Sequence, residues 1–311
     1  WQDLKANGHL TELHPEARNG NIALTGEIDL AQCDGEFVLA LSFGSNASEA
    51  GQRALSSLID PFDGLLAEYV AGWNDFQRQC RSIASGDQPE PPLYRTSTAV
   101  LKTHLSNYFV GGMIASLSVP WGFSKGDNDL GGYHLVWPRD QVESAGALLA
   151  SGDTADALDV LRYLLSTQEA DGHWPQNMWL DGSPYWNGIQ LDEAAFPILL
   201  ADALRRRNAL DGIDCWPMLR RAASYIVRNG PVTLQDRWEE DGGYSPFTLA
   251  VVVAGLLGAA DFADAAGENA IATHLQTALA NDDHELSLDD AAKIVGCWNG
   301  LAKRTTDADF G

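Results

Sequence analysis

The chain holds 311 residues, with 43 acidic against 20 basic side chains and a formal charge of −23. That charge repels nucleic-acid phosphate along the whole surface and excludes a nucleic-acid partner. Apolar residues make up 45%, enough for a buried core and too many for a disordered chain. The longest near-apolar run, Leu249 to Ala260, is 12 residues, short of the roughly 20 a membrane span needs, so no membrane partner is expected.

Residues 1–44 read as strands: Asn21 to Leu30 and Glu36 to Phe43 are rich in β-branched and aromatic residues, with a turn at Cys33-Asp34-Gly35. Two or three strands do not make a stable sheet, so they are expected to end a β-domain whose earlier strands are missing. The chain starts at Trp1 rather than Met, which reads as processing or a start inside a longer protein. Helical signals begin near residue 48. Asp60-Pro61 marks a helix start, after which Leu66, Tyr69, Val70, Trp73 and Phe76 share one face. Gly86 to Pro92 is a proline-rich linker.

Beyond the linker the patterning predicts helices near 97–117, 139–151, 153–168, 190–207, 215–228 and 245–266. They alternate in character. The 153–168 segment sets Leu158, Leu161, Leu164 and Leu165 against Asp156, Asp159 and Arg162, whereas 245–266 is apolar nearly all round. Amphipathic and all-apolar helices in alternation describe a double ring, outer helices wet on one side and inner ones buried. Three long loops interrupt it, Pro120 to Arg139, Asp171 to Ile189 and Asn229 to Tyr244, and their tryptophans Trp137, Trp186 and Trp238 recur at 49 and 52 residues. A helix-pair repeat of that period predicts that all three loops open on one end. Long loops rich in Gly, Trp and Asp carry function.

The ten tryptophans of the chain offer flat faces that suit sugar rings. In the first loop Tyr133 and Trp137 precede Arg139 and Asp140 at a helix start; an arginine and a carboxylate beside an indole make a clamp for a hydroxyl-rich ligand. In the third, Asp236-Arg237-Trp238-Glu239-Glu240-Asp241 crowds four acids beside a tryptophan. Like charge and an indole wall raise the pKa of a carboxyl, and one kept protonated serves as a general acid. Adjacent side chains point apart, so only one of Glu239 and Glu240 faces the reacting bond. The second loop adds Trp186, and Asp192 and Glu193 at the following helix start read equally as caps or ligands. Gly122 to Gly126 matches the G-x-S-x-G pattern but lacks the preceding strand that nucleophile needs. Asp127-Asn128-Asp129 lacks the remaining ligands of a calcium loop. Cys33, Cys80, Cys215 and Cys297 are too scattered for a metal site. No cofactor or metal is expected.

The stretches PWGFSKGDNDLGGYHLVWPRD (120–140), ADGHWPQNMWLDGSPYWNGIQLDE (170–193) and NGPVTLQDRWEEDGGYSPFTLA (229–250) resemble bacterial glucoamylases and glucodextranases of glycoside hydrolase family 15. The likeness covers roughly residues 1–265. It implies a mainly α chain, part of an (α/α)6 barrel preceded by the end of an N-terminal β-sandwich. The divisions it implies are 1–45 for the β-domain, 46–92 for a helical linker region, 93–266 for the first half of the barrel and 267–311 for an unassigned helical tail. The implied activity is exo-hydrolysis of α-glucans or maltooligosaccharides with inversion, releasing glucose. The implied roles are Glu239 as general acid, Glu240 as substrate-binding carboxylate, Tyr133, Trp137, Arg139 and Asp140 as wall and clamp, and Trp186 as a cover over the reacting subsites. A glucodextranase, an α,α-trehalase and a non-catalytic carbohydrate-binding remnant are the alternatives. No convincing general base occurs among the last residues, where Glu285 is the late candidate, so the chain alone is expected to be inactive.

Overall fold

The computed structural model describes residues 2–12, 25–84, 89–117, 132–238 and 241–278. The segments around Asn21, Gly86, Gly122 to Asp129 and Glu285, singled out above, lie outside them. The chain divides into two compact units near residue 76.

In the first unit, α1 (Gln2–Asn7) precedes a 3₁₀ turn at Leu30–Cys33, α2 (Ala47–Ser57) and the body of α3 (Phe62–Gln79). The expected turn is there: Asp34 and Gly35 take φ of 53° and 85°, and Asp29 caps the 3₁₀ turn through the Ala31 N–H. The expected strands do not form among the described residues. Residues 36–44 run irregular and unpaired, leaving Leu39, Leu41 and Phe43 more than 70% exposed. Strand propensity needs a neighbouring ladder to act on, and none lies within the described residues. Asn46 caps α2, its side chain accepting from Glu49 N–H.

The second unit is helical. It comprises α4 (Pro92–Thr103), α5 (Pro138–Ser151), α6 (Thr154–Thr167), α7 (Leu191–Arg206), α8 (Trp216–Asn229), α9 (Pro246–Ala265) and α10 (Asn269–Ala278). Helices α5, α7 and α9 adjoin one another in sequence order, and α6, α8 and α10 pack outside and between them. This is the double ring. The outer α8 buries Met218, Leu219, Ala222 and Ile226 and turns Arg220, Arg221 and Arg228 outward, whereas twelve of the sixteen residues of the inner α7 are buried. Inner helices approach closely because of glycine: a Cβ on Gly255 of α9 would lie 3.0 Å from the Ala195 Cβ of α7. By length and composition α9 could cross a membrane, but more than half of its most apolar window is buried among α7, α8 and α10, as in a core helix.

The helix predicted over 97–117 stops at Thr103. Ser106 Oγ accepts from the Tyr108 and Phe109 N–H groups, offering the backbone an alternative to the helical ladder. Gly111 then turns at φ +79° so close to α6 that a Cβ would meet the Asp159 carbonyl at 2.0 Å, and Leu105 bridges back to Met113. The other predicted starts hold because proline and serine mark them: Pro138, Pro217 and Pro246 sit in first turns, and Ser245 accepts from Thr248 N–H.

Helices α5 and α6 meet through two residues. Gly152 takes φ +101° and caps α5, and Asp153 caps α6 by accepting from Asp156 N–H. Asp153 is 5% exposed, and burial together with the Asp156 carboxyl pushes its pKa up to about 6, while Lys102 pairs with Asp156. The folded state thus holds a proton that the unfolded chain has released above pH 4. Stability from this group is full below its ordinary pKa and is lost as pH rises through about 6. Asp153→Asn keeps the cap and removes the charge. It is expected to add about 1–2 kcal/mol at pH 8 and nothing at pH 4, read by urea unfolding at both values.

Candidate active site

The described parts of the loops before α5, α7 and α9 meet at one end of the ring. Val136 and Met178 exchange backbone hydrogen bonds of 2.8 and 3.0 Å, pinning the first loop to the second. The second folds into a hairpin, β1 (Asn177–Met178) against β2 (Pro184–Trp186). Thr233 Oγ accepts from Leu191 N–H at 3.2 Å, so the third loop rests on the start of α7. Thr233 and Gly243 exchange hydrogen bonds of 3.0 and 2.9 Å, which closes the third loop on itself.

Arg139, in the first turn of α5, lies across the start of α7. Its Nη1 donates to Gln190 Oε1 at 2.6 Å and Asp192 Oδ2 at 3.0 Å, stands 3.3 Å from Glu193 Oε1, and its Nε lies 3.9 Å from Asp140 Oδ2. Asp192 and Glu193 are fully buried and neither caps α7, whose N-cap is Gln190. Burial works against the arginine charge, yet Glu193, Asp192 and Asp140 outweigh it and hold the pKa above its ordinary value. Burial raises Asp192, and the charge of Arg139 pulls back only part of that. Asp140 is raised by burial against the same arginine, and Glu143 by burial and by Asp140.

Around this cluster stand flat rings. Trp137 is buried, with Tyr133 6.1 Å and Trp186 6.3 Å from it between ring centroids. Trp186 N–H donates to the buried Asn177 Oδ1 at 2.9 Å. From the third loop, the Arg237 guanidinium sits 4.5 Å over Phe247 in the first turn of α9 and 5.3 Å from the Trp238 ring, and its charge reaches Asp192 and Glu143.

The structure therefore brings Tyr133, Trp137 and Trp186 into one wall and Arg139 with Asp140 into one cluster. Glu239 and Glu240 lie outside the described residues. Sequence reasoning left the roles of Asp192 and Glu193 open and missed Gln190, Glu143 and Arg237. The available signal was Gln-x-Asp-Glu at a helix start, too many acids for one cap. Among the described residues, no cluster of His, Cys, Asp and Glu has the makeup of a metal site.

The described residues thus form part of a double ring of helices, an α/α-barrel fold, with a polar cluster and a row of aromatic rings at one end. Residues 92–172 and 168–300 match Glycosyl hydrolases family 15, and residues 1–78 match Glucodextranase, domain N. The chain belongs to glycosyl hydrolase family 15. A glucoamylase of Clostridium sp. (strain G0005) is 41% identical over 262 residues, covering 84% of this chain and 36% of that protein. An uncharacterized glycosyl hydrolase of Methanocaldococcus jannaschii is 28% identical over 130 residues, 40% of this chain and 21% of its own length. A bacterial glucoamylase solved in complex with acarbose superposes with a TM-score of 0.68 at 39% identity, over 76% of this chain and 34% of that one. The chain thus spans about a third of the length of its two stronger matches.

Removing the arginine would strand two buried carboxylates. Arg139→Met is expected to destabilise the fold by about 3–5 kcal/mol, and adding Asp192→Asn should recover part of the loss. Urea unfolding of the two variants and the parent measures both effects.

Proposed function

We propose that the protein is an exo-acting, inverting α-glucosidic hydrolase that releases glucose from the non-reducing ends of α-glucans. The observation that carries the reading is the Arg139–Asp140 clamp, anchored on Asp192 and Glu193, beside the Tyr133–Trp137–Trp186 wall. Polar groups that converge at the foot of flat apolar walls hold the hydroxyls and the faces of one terminal hexose. In this reading Glu239 protonates the leaving glycosidic oxygen and Glu240 binds the substrate. Inversion also needs a second carboxylate, about 6.5–9.5 Å from the acid, to activate water on the opposite face of the sugar. The sequence assigns no residue to that role.

A second reading, glucodextranase activity on α-1,6 bonds, is favoured by the match of residues 1–78 to the glucodextranase N domain. Glucose release by the full-length protein from maltose, isomaltose and trehalose separates the α-1,4, α-1,6 and α,α-1,1 specificities. Binding of all three without turnover would leave a carbohydrate-binding role alone. The roles of the two glutamates separate by mutation. Glu239→Gln is expected to slow maltose hydrolysis by about 10²–10⁴-fold and glucosyl fluoride hydrolysis far less, because fluoride departs with little proton donation. Glu240→Gln should chiefly raise KM. The reverse pattern would exchange the two roles.

A further inference from the structure

The third loop, whose sequence includes Trp238-Glu239-Glu240, is a narrow ribbon at its described residues. Asp236 N–H donates to the Asp241 carbonyl at 2.8 Å, with only the four residues 237–240 between them in sequence. Asp236 Oδ1 accepts from Trp238 N–H at 2.9 Å. Gly242 passes so close to the Leu234 carbonyl that a Cβ would lie 2.7 Å from it. These contacts all run inside the loop. They set the shape of the ribbon but not its direction relative to the barrel.

Arg237 supplies the direction. Its guanidinium lies 4.5 Å over the Phe247 ring, in the first turn of α9, and 5.3 Å from the Trp238 ring. Phe247 in turn lies 6.2 Å from Phe196 of α7, which is fully buried. Trp238, Arg237, Phe247 and Phe196 thus run in a line of contacts from an indole that is 70% exposed to the core between two inner helices. A planar cation on the face of a ring is attracted by the ring quadrupole, and arginine stacks flat where a lysine ammonium meets a ring only as a point charge.

The field of the site pulls the same way. Asp140, Glu143 and Asp192 gather around Arg139, and the charge of Arg237 acts on Glu143 of α5 and Asp192 of α7 from the opposite loop. Among the described residues Arg237 forms no salt bridge, so the rings rather than a carboxylate hold its plane. The side chain is therefore drawn toward α5 and α7 by charge and held at the start of α9 by stacking.

We propose that Arg237 is a positioning residue: by stacking on Phe247 it fixes the third loop against the start of α9 and so sets the acid of the Trp238-Glu239-Glu240 stretch for proton donation. The proposal rests on the α-glucosidic hydrolase reading and deepens it. Arg237→Met keeps the stem and removes the charged plane, Arg237→Lys keeps the charge, and Phe247→Leu removes the ring. Steady-state kinetics of the full-length protein compare the disaccharide that the parent cleaves fastest with glucosyl fluoride. In Arg237→Met, kcat on the disaccharide is expected to fall by about 10- to 100-fold, with KM changed by less than about threefold. Glucosyl fluoride, which needs little proton donation, should lose less than about threefold. Arg237→Lys should keep more of the activity than Arg237→Met. Phe247→Leu should reproduce part of the loss, and adding Arg237→Met to it should cost less than about threefold more, because neighbours that act through one contact are not additive. Equal losses on both substrates, a rise in KM alone, additive losses or an unchanged kcat would each overturn the positioning role while leaving the hydrolase reading intact. A parent that releases glucose from none of maltose, isomaltose and trehalose would overturn the hydrolase reading, and the positioning role with it. Thermal melting checks each fold, and where Arg237→Met melts early the comparison of Arg237→Lys with Phe247→Leu on the two substrates decides in the same way.

Discussion

One largely buried guanidinium organises the candidate site of this chain. Arg139 arises from the first turn of α5 and ties down the first turn of α7 through Gln190 and Asp192, with Glu193 beside it. Charges taken out of water are costly unless paired, and such a cluster holds its geometry because each member would be stranded without the others. The helix ends add to this. The N-termini of α5 and α7 are the positive ends of their dipoles, which favours the three carboxylates, Asp140, Asp192 and Glu193, that surround the one arginine.

The barrel supplies the rigidity that this cluster needs. Gly255 lets α9 approach α7, and the Phe196 and Phe247 rings, 6.2 Å apart, join the same helices near their starts. Arg237 caps that pair from the third loop. The first loop is bonded to the second and the third to the start of α7, so the site is shaped by segments that are far apart in sequence and adjacent in space.

Much of this was legible from residue patterns. The starts of α5, α7, α8 and α9 were read within one or two residues, because proline, serine and the change to apolar periodicity act locally. The wall residues were legible as tryptophans at a fixed repeat. What failed depended on partners elsewhere. Nothing in Asp192 says that it is buried; that follows from an arginine 53 residues earlier. The 97–117 segment kept a helical apolar pattern, but Ser106 and Gly111 broke it through a hydrogen bond and a close approach to α6 that periodicity does not encode. The strand-like residues 36–44 carry true β-propensity, and among the described residues no neighbouring ladder lies beside them for it to act on.

The joint at Gly152 and Asp153 divides the molecule into two kinds of end. On one side a helix pair turns within two residues whose backbone angles and capping bonds leave no room for change. On the other, loops of 16 to 20 residues carry Tyr133, Trp137, Trp186 and Arg237, and the helix starts they enter carry Arg139, Asp140, Asp192 and Glu193. Selection can therefore rewrite specificity by exchanging whole loops while the helical frame stays in register. A protein built this way is a natural acceptor for grafted segments, and related sequences should differ in length far more at the open face than at the closed one.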